Sequence, residues 1–152
     1  MRYKQQKYRR NVVAYILASQ LAAIRRTSAP LVAVCTVDAP STCATIAALF
    51  PPETPIAQWD VVRGATPITN AGSEIIAAVN SKGDTTNPVA MLKNAMQLPA
   101  KSLMFMHNLH LFFAQPGTIQ GLANLRDTLK ANGSTLILLS PSIKIPLEIS
   151  QD

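Results

Sequence analysis

Ser-Leu-Met-Phe-Met-His-Asn-Leu-His-Leu-Phe-Phe at Ser102–Phe113 and Thr-Leu-Ile-Leu-Leu-Ser-Pro at Thr135–Pro141 decide the fold class of this chain. Each stretch is nearly continuous in apolar residues and ends in polar ones, and a helix-like stretch lies between them. Such runs are typical of neighbouring parallel strands that are buried on both faces. Parallel sheets bind ligands at the carboxyl ends of their strands, which here would present His107, Asn108 and His110.

The rest of the chain alternates predicted helices with predicted strands. The predicted strands are Pro30–Val37, Ile56–Arg63, Ser102–Asn108 and Thr135–Ser140. The predicted helices are Asn11–Thr27, Ser41–Phe50, Asn87–Met96 and Thr118–Ala131, with a short one around Ser73–Asn80 inside the variable stretch Ala65–Asp84. Asn87-Pro88 is a strong helix start and Asn132-Gly133 a strong helix end. This order predicts an α/β domain, with a mostly parallel sheet of about four to five strands flanked by helices.

The composition suits one domain with a full core. The chain has 152 residues, of which 48% are hydrophobic and only 14% charged. So low a charge fraction predicts a large internal sheet and an apolar surface that another domain covers. Because Pro141 and Pro146 lead the chain out of the sheet, we expect a further domain to follow.

The basic character of the chain is confined to its beginning. Seven of its 14 lysines and arginines precede the first acid, Asp38, and the remaining seven face eight acids, which leaves a net charge of −1 beyond residue 37. Five of the early ones form an arm, Met1–Arg10, and they are Arg2, Lys4, Lys7, Arg9 and Arg10. Such an arm either attracts nucleic acid or anionic lipid, or is a solvated terminus.

The segment after the arm predicts an amphipathic helix. Val12–Ala18 resembles the apolar region of a secretory signal, but polar and charged residues at 19, 20, 25 and 26 interrupt it. The apolar residues recur at helical spacing, and the run is too short to span a bilayer. Cys35 and Cys43 are too few for a disulfide framework, and we expect Cys35 to be a small core residue. Together these features predict a cytoplasmic protein without a membrane span.

The turn after the first predicted strand lacks the residues that hold a triphosphate. It reads Asp-Ala-Pro-Ser-Thr-Cys at Asp38–Cys43, with no glycine, no lysine and no N–H at Pro40. A phosphate loop needs glycines so that its N–H groups can point inward, and a lysine for the outer phosphates. Ser41 and Thr42 either cap the following helix or touch a phosphate, and tight ATP binding in the usual mode is not expected.

The remaining polar residues do not form a recognisable catalytic set. His107 and His110 are three apart, so on an extended chain their side chains point to opposite faces and cannot share one site. Ser140 follows a strand but lacks the Gly-x-Ser-x-Gly turn of hydrolases. Arg63 before Gly64 either ends a strand or contacts an acidic partner or a phosphate.

Several short motifs, taken in order, resemble a known family. They are Trp59–Gly64, Thr86–Pro88 followed by Leu92, Met104–Phe112, Leu125–Asp127, Ser134–Pro141 and Ile145–Glu148. Over residues 11–150 they look like the amino-terminal domain of the AAA+ ATPases typified by a chloroplast and cyanobacterial open reading frame, with bacterial and phage relatives.

The resemblance implies a domain like a P-loop NTPase that lacks the P-loop. It implies that strand Thr135–Ser140 lies between strands Pro30–Val37 and Ser102–Asn108, with Ile56–Arg63 outside. Asn108 stands where the family often has aspartate, so even this acid is missing. No catalytic, cofactor-binding or metal-ligating residue carries over, and ATP and Mg²⁺ are expected only in a downstream AAA+ ATPase domain.

The charge distribution sets residues 1–10 apart as a basic arm, and the resemblance implies a non-catalytic domain at 11–150 that mediates assembly, regulation or recruitment of substrates or partners. Its partners would be its own or a neighbouring ATPase domain and further copies of the protein. One alternative is a free-standing module whose arm binds nucleic acid or an acidic partner, and another is a small nucleotide hydrolase with atypical residues. The candidate interaction residues are Arg2, Lys4, Lys7, Arg9, Arg10, Arg63, Asn108 and His110.

Overall fold

The computed structural model describes Gln20, Ala22 and residues 29–81 and 83–150. Within them the strands are β1 (Leu31–Cys35), β2 (Ile56–Asp60), β3 (Gly64–Pro67), β4 (Leu103–His107) and β5 (Thr135–Ser140). The α-helices are α1 (Ala39–Ala47), α2 (Gly72–Asn80), α3 (Pro88–Asn94) and α4 (Pro116–Asn132), and two 3₁₀ turns span Ala95–Gln97 and Leu109–Phe112. The arm Met1–Arg10 and nearly all of the predicted helix Asn11–Thr27 lie outside the described residues.

The five strands form one sheet in the order β1-β5-β4-β2-β3. The first four are parallel to one another, and β3 pairs antiparallel with β2. The predicted α/β class is therefore confirmed, and so is the strand order that the family resemblance implied. In the part of the chain that the structure describes, no helix is long and apolar enough to cross a membrane.

The strand predicted at Ile56–Arg63 is partly wrong, because it ends at Asp60 and the chain then turns back as β3. Gly64 has a φ of +72°, a backbone conformation that residues with a side chain rarely adopt. A Cβ at this position would meet the Thr85 hydroxyl, so the close approach also requires glycine. The hairpin takes up part of the stretch predicted to be variable.

Alternate residues of the strands pack on opposite faces of the sheet. On one face Trp59, Met104 and Leu136 contribute to a core that also includes buried residues of α2, α3 and α4. On the other, which we call the α1 face, Phe105 and Ile137 pack with Cys43 and Ile46 of α1. Both faces of the central strands are therefore covered, as the continuous apolar runs predicted.

The start of α3 and the end of α4 lie at the predicted polar signals. The Asn87 side chain accepts a hydrogen bond from the N–H of Ala90 at 3.0 Å, with Pro88 in the first turn of α3. Gly133, at φ +72°, ends α4. Helix α1 begins two residues earlier than predicted, because Asp38 caps it by accepting a hydrogen bond from the N–H of Ser41 at 3.2 Å.

Two predictions about individual residues are wrong. Cys35 is exposed, because β1 is an edge strand and its last residue has only β5 beside it. His107 and His110 do not lie on one extended segment: Asn108 adopts a left-handed conformation with φ 55°, and the 3₁₀ turn begins directly after it. Strand periodicity therefore does not relate the two histidines.

Trp59 fixes the outer part of the sheet to the loop that leads into α3. Its ring is fully buried, and its Nε1–H donates to the carbonyl oxygen of Thr85. The hydroxyl of Thr85 accepts from the N–H of Ala65 at 3.2 Å, which joins the same loop to β3. Phe112 meets the Trp59 ring edge-on at a centroid distance of 6.4 Å.

We expect the Gly72→Ala substitution to destabilise the fold, because a Cβ at residue 72 would overlap the carbonyl oxygen of Ile56. Chemical denaturation should show the free energy of unfolding falling by about 1–3 kcal/mol. The exposed neighbour Ser73→Ala serves as the control and should stay within about 0.5 kcal/mol of the wild type. An unchanged free energy of unfolding in Gly72→Ala would show that the start of α2 can move away from β2 without loss of stability.

Candidate functional site at the carboxyl edge of the sheet

The carboxyl ends of β1, β5, β4 and β2 lie along one edge of the sheet, because these strands are parallel. Ligands of open α/β sheets bind at this edge. The polar side chains at or near it include Thr36 and Asp38 after β1, His107 at the end of β4, and Gln58 in the neighbouring strand β2. Their hydrogen bonds show what chemistry this edge can support.

The turn after β1 is closed by its own side chains. The Thr36 hydroxyl accepts from the N–H of Asp38 at 3.1 Å and shares a 2.8 Å hydrogen bond with the Thr42 hydroxyl. The Asp38 carboxylate accepts from the N–H of Ser41 at the start of α1. In phosphate-binding loops the corresponding N–H groups face the anion. Here a carboxylate of the chain itself stands at the helix start. The predicted capping role of Ser41 and Thr42 is wrong, because Asp38 is the cap: Ser41 donates its backbone N–H to the Asp38 carboxylate, and the Thr42 hydroxyl bonds to Thr36.

A cluster on the α1 face joins β2, β4 and α1. The His107 Nε2 atom lies 3.0 Å from Oε1 of Gln58 and 3.9 Å from the sulfur of Cys43. Because an amide oxygen can only accept, Nε2 carries the hydrogen and donates it to Gln58. No local sequence pattern indicates this cluster, because Gln58 and Cys43 are separated from His107 by 49 and 64 residues.

The histidine and cysteine of this cluster are not arranged as a nucleophile and its base. Burial raises the pKa of the Cys43 thiol to about 11, so it stays protonated near neutral pH. Burial, with a smaller contribution from Arg63, lowers the pKa of His107, although Asp60 acts in the opposite direction. The Nε2 atom that faces the sulfur already carries a hydrogen and cannot accept the thiol proton. The arrangement is a neutral, hydrogen-bonded contact between strands and helix.

Arg63 closes the turn between β2 and β3. Its Nε donates to the Asp60 carboxylate at 2.6 Å, and the backbone N–H groups of Val62 and Arg63 donate to the other carboxylate oxygen at 2.9 and 2.8 Å. Burial raises the pKa of Asp60, but these hydrogen bonds and the Arg63 charge outweigh it and lower the pKa overall. The pair lies at the surface, with 63% of the Arg63 side chain exposed.

The other predicted interaction residues are dispersed. Asn108 begins the 3₁₀ turn, and its backbone N–H donates to the carbonyl oxygen of Leu139 at 2.8 Å. His110 lies within that turn, and its Nδ1 atom is buried without a hydrogen-bond partner. The arm residues Arg2, Lys4, Lys7, Arg9 and Arg10 are outside the described residues. Across the described ranges, no group of three or more His, Cys, Asp or Glu side chains is placed to hold a metal ion.

Three aliphatic side chains near the carboxyl edge are strongly exposed. Val37 follows β1 and is 93% exposed, Val62 follows β2 and is 82% exposed, and Leu111 follows β4 and is 68% exposed. We call these three residues the edge patch. With neighbouring strands about 4.8 Å apart, the row spans on the order of 15 Å. Sequence reasoning missed it, although Val62 in a turn and Val37 before a helix cap are positions that polar residues usually occupy.

Comparison with protein-family models matches residues 17–152 to the family described as SpoVK-like AAA ATPase, N-terminal domain. The match agrees with the resemblance inferred from the short motifs, and it covers the whole sheet. No curated protein and no solved structure matches the chain significantly.

The lowered pKa of His107 predicts a pH dependence of stability. The unfolded side chain titrates near 6.5 and the folded one below it, so the unfolded chain binds more protons between the two values. The contribution of neutral, buried His107 to stability is therefore complete above pH 6.5, and it is lost as the pH falls toward the lowered pKa of the folded state. Urea denaturation over this range should show a flatter profile for His107→Gln than for the wild type.

The other histidine provides the control for this measurement. His110→Gln leaves His107 in place and should retain the slope that His107 contributes. If His107→Gln gave a profile as steep as that of the wild type, burial of His107 would not be the source of the pH dependence of stability.

Proposed function

We propose that this chain, which belongs to the family of N-terminal domains of SpoVK-like AAA ATPases, is a non-catalytic domain that recruits partners or substrates to a linked ATPase domain and regulates it. The observation that carries the proposal is the chemistry of the carboxyl edge. Where a nucleotide hydrolase of this architecture would present a lysine and Mg²⁺-binding acids, this sheet presents the aliphatic edge patch and a neutral histidine cluster.

The turn at the start of α1 supports a domain without nucleotide. It contains neither glycine nor lysine, and the Asp38 carboxylate stands where a phosphate would have to approach. The negative charge of the Asp38 carboxylate repels the negative charge of a phosphate at this helix start. ATP and Mg²⁺ are thus assigned to the linked ATPase domain, and we regard this sheet as a degenerate relative of P-loop folds.

The edge patch supports protein binding. Three large aliphatic side chains in one row, two of them more than four-fifths exposed, are the kind of surface that protein contacts cover. The charged side chains beside them are engaged within the domain, since Asp38 caps α1 and the Arg63 guanidinium is paired with Asp60. We assign this surface to the linked ATPase domain, whose activity it would then control.

The purified chain should show no thermal shift with Mg-ATP. A ligand at a hundredfold excess over its Kd adds about 2.7 kcal/mol, which raises the Tm of a domain of this size by about 5–10 °C. The variant Asp38→Asn keeps the helix cap without the negative charge and should also show no shift, because glycine and lysine are still missing. A shift of several degrees in the wild type would instead favour an active nucleotide site.

Substitutions in the edge patch should weaken the contact with the ATPase domain. In separately purified pieces, Leu111→Asp and Val62→Asp should each raise the Kd for the ATPase domain by roughly fivefold to thirtyfold, as truncation of interface anchors does. In the protein that carries both domains, the same variants should change the rate of ATP hydrolysis. Calorimetry and a phosphate-release assay provide the two measurements.

Leu49→Asp is the matched control for these variants. Leu49 is 45% exposed and follows the far end of α1, away from the carboxyl edge. It should leave both the Kd and the rate unchanged, and all three variants should keep the Tm of the wild type. If both edge variants bind and hydrolyse like Leu49→Asp, the edge patch does not contact the ATPase domain.

A further inference from the structure

Strand β1 has a free edge. It pairs with β5 on one side, and within the described ranges no strand pairs with it on the other. The carbonyl oxygen of Pro30 accepts from Leu136, and the N–H of Thr36 donates to Ser140, so the even-numbered residues direct their backbone groups toward β5. The odd-numbered ones, Leu31, Ala33 and Cys35, therefore direct their N–H and C=O groups away from the sheet.

Among the residues that the structure describes, the opposite edge of the sheet is protected and this one is not. Strand β3 has only four residues, begins at a glycine with positive φ and ends at Pro67. Short length, irregular backbone and proline are the usual ways to stop an edge from pairing with another chain. β1 reads Leu-Val-Ala-Val-Cys, with no charge, glycine or proline. Two of its residues, Ala33 and Cys35, are exposed.

We propose that β1 pairs antiparallel with β1 of a second copy of this chain, about a two-fold axis at Ala33. The strand is nearly palindromic around that residue, since Val32 and Val34 flank it symmetrically. In the pairing Ala33 lies opposite Ala33, and each Val32 lies opposite Val34 of the other copy. The outward N–H and C=O groups of Leu31, Ala33 and Cys35 in one copy face those of Cys35, Ala33 and Leu31 in the other. The two edges can therefore form up to about six hydrogen bonds.

The side chains around the β1 edge favour a second copy of the chain as its partner. Ala33 is small, so the two backbones meet without steric conflict at the axis. A ladder of five residues alone falls short of the roughly 800 Å² per partner that stable interfaces bury. Leu147 is 88% exposed and lies in the segment whose Ile145, Ile149 and Ser150 line a cavity together with Leu31, Val32 and Ala33. It adds apolar area beside the strand, and the dimer is expected to be weak and concentration-dependent.

A charge-exchange experiment on the full chain tests the pairing. Sedimentation velocity over a concentration series should show the wild type passing from monomer to dimer. Ala33→Lys and Ala33→Glu each place like charges opposite one another at the axis and should raise the dimer Kd about fivefold or more. An equimolar mixture of the two variants should recover the dimer, because lysine then faces glutamate. Recovery on mixing excludes misfolding as the cause of the loss.

Ala44 provides the matched control, since it is an exposed alanine on α1, away from the β1 edge. Ala44→Lys and Ala44→Glu should sediment like the wild type, alone and mixed. A monomeric wild type at every concentration, or an unchanged dimer in Ala33→Lys, would overturn the proposal.

A cysteine pair tests the register independently. In the proposed ladder residue 31 lies opposite Cys35 of the other copy, at a Cα separation of about 5.5 Å that a disulfide can span. Oxidised Leu31→Cys should therefore run as a covalent dimer, and the same variant with Cys35→Ser should not. The wild-type chain should also remain uncrosslinked, because the two Cys35 residues lie at opposite ends of the ladder. Equal crosslinking in all three chains would contradict this register.

Discussion

Burial of β4 and β5 on both faces is the constraint on which the rest of the structure depends. The apolar side chains of Leu103–Met106 and Leu136–Leu139 are all 3% exposed or less. Each such side chain contributes on the order of 1.5–3 kcal/mol, whereas a helix cap contributes about 1 kcal/mol. Covering both faces therefore decides the architecture, with α2, α3 and α4 on one side and α1 on the other. The helix caps set where those elements begin.

This arrangement leaves the carboxyl edge as the place where side chains can meet solvent or partners. In enzymes of related architecture the edge holds charge. Here Gln58 and His107 use their hydrogen bond to join neighbouring strands, Asp38 caps α1, and Arg63 closes a hairpin turn with Asp60. These polar groups are hydrogen-bonded within the fold itself, and the exposed side chains near them include the aliphatic Val37, Val62 and Leu111.

The strands and most helix ends could be predicted from local sequence. Continuous apolar runs located β4 and β5, and Asn87-Pro88 and Asn132-Gly133 marked helix ends. The β2–β3 hairpin was missed because Gly64 was taken as the end of a strand, whereas its positive φ lets the chain turn back. The exposure of Cys35 was missed because burial of a strand residue depends on its neighbours in the sheet, and in the described part of the chain β1 has one neighbouring strand. The order of the strands came from the family resemblance.

The sequence by itself determined the α/β class, the parallel direction of the central strands and the lack of a phosphate loop after β1. Each of these follows from residue types, their spacing and the order of segments along the chain, since periodicity, proline and glycine act locally on the backbone. Tertiary structure alone decided that Gln58, Cys43 and His107 meet, that Val37, Val62 and Leu111 share an edge, and that β1 has a neighbouring strand on one side only within the described residues. Those features join residues far apart in the chain. They exist only once the order of strands brings distant segments together.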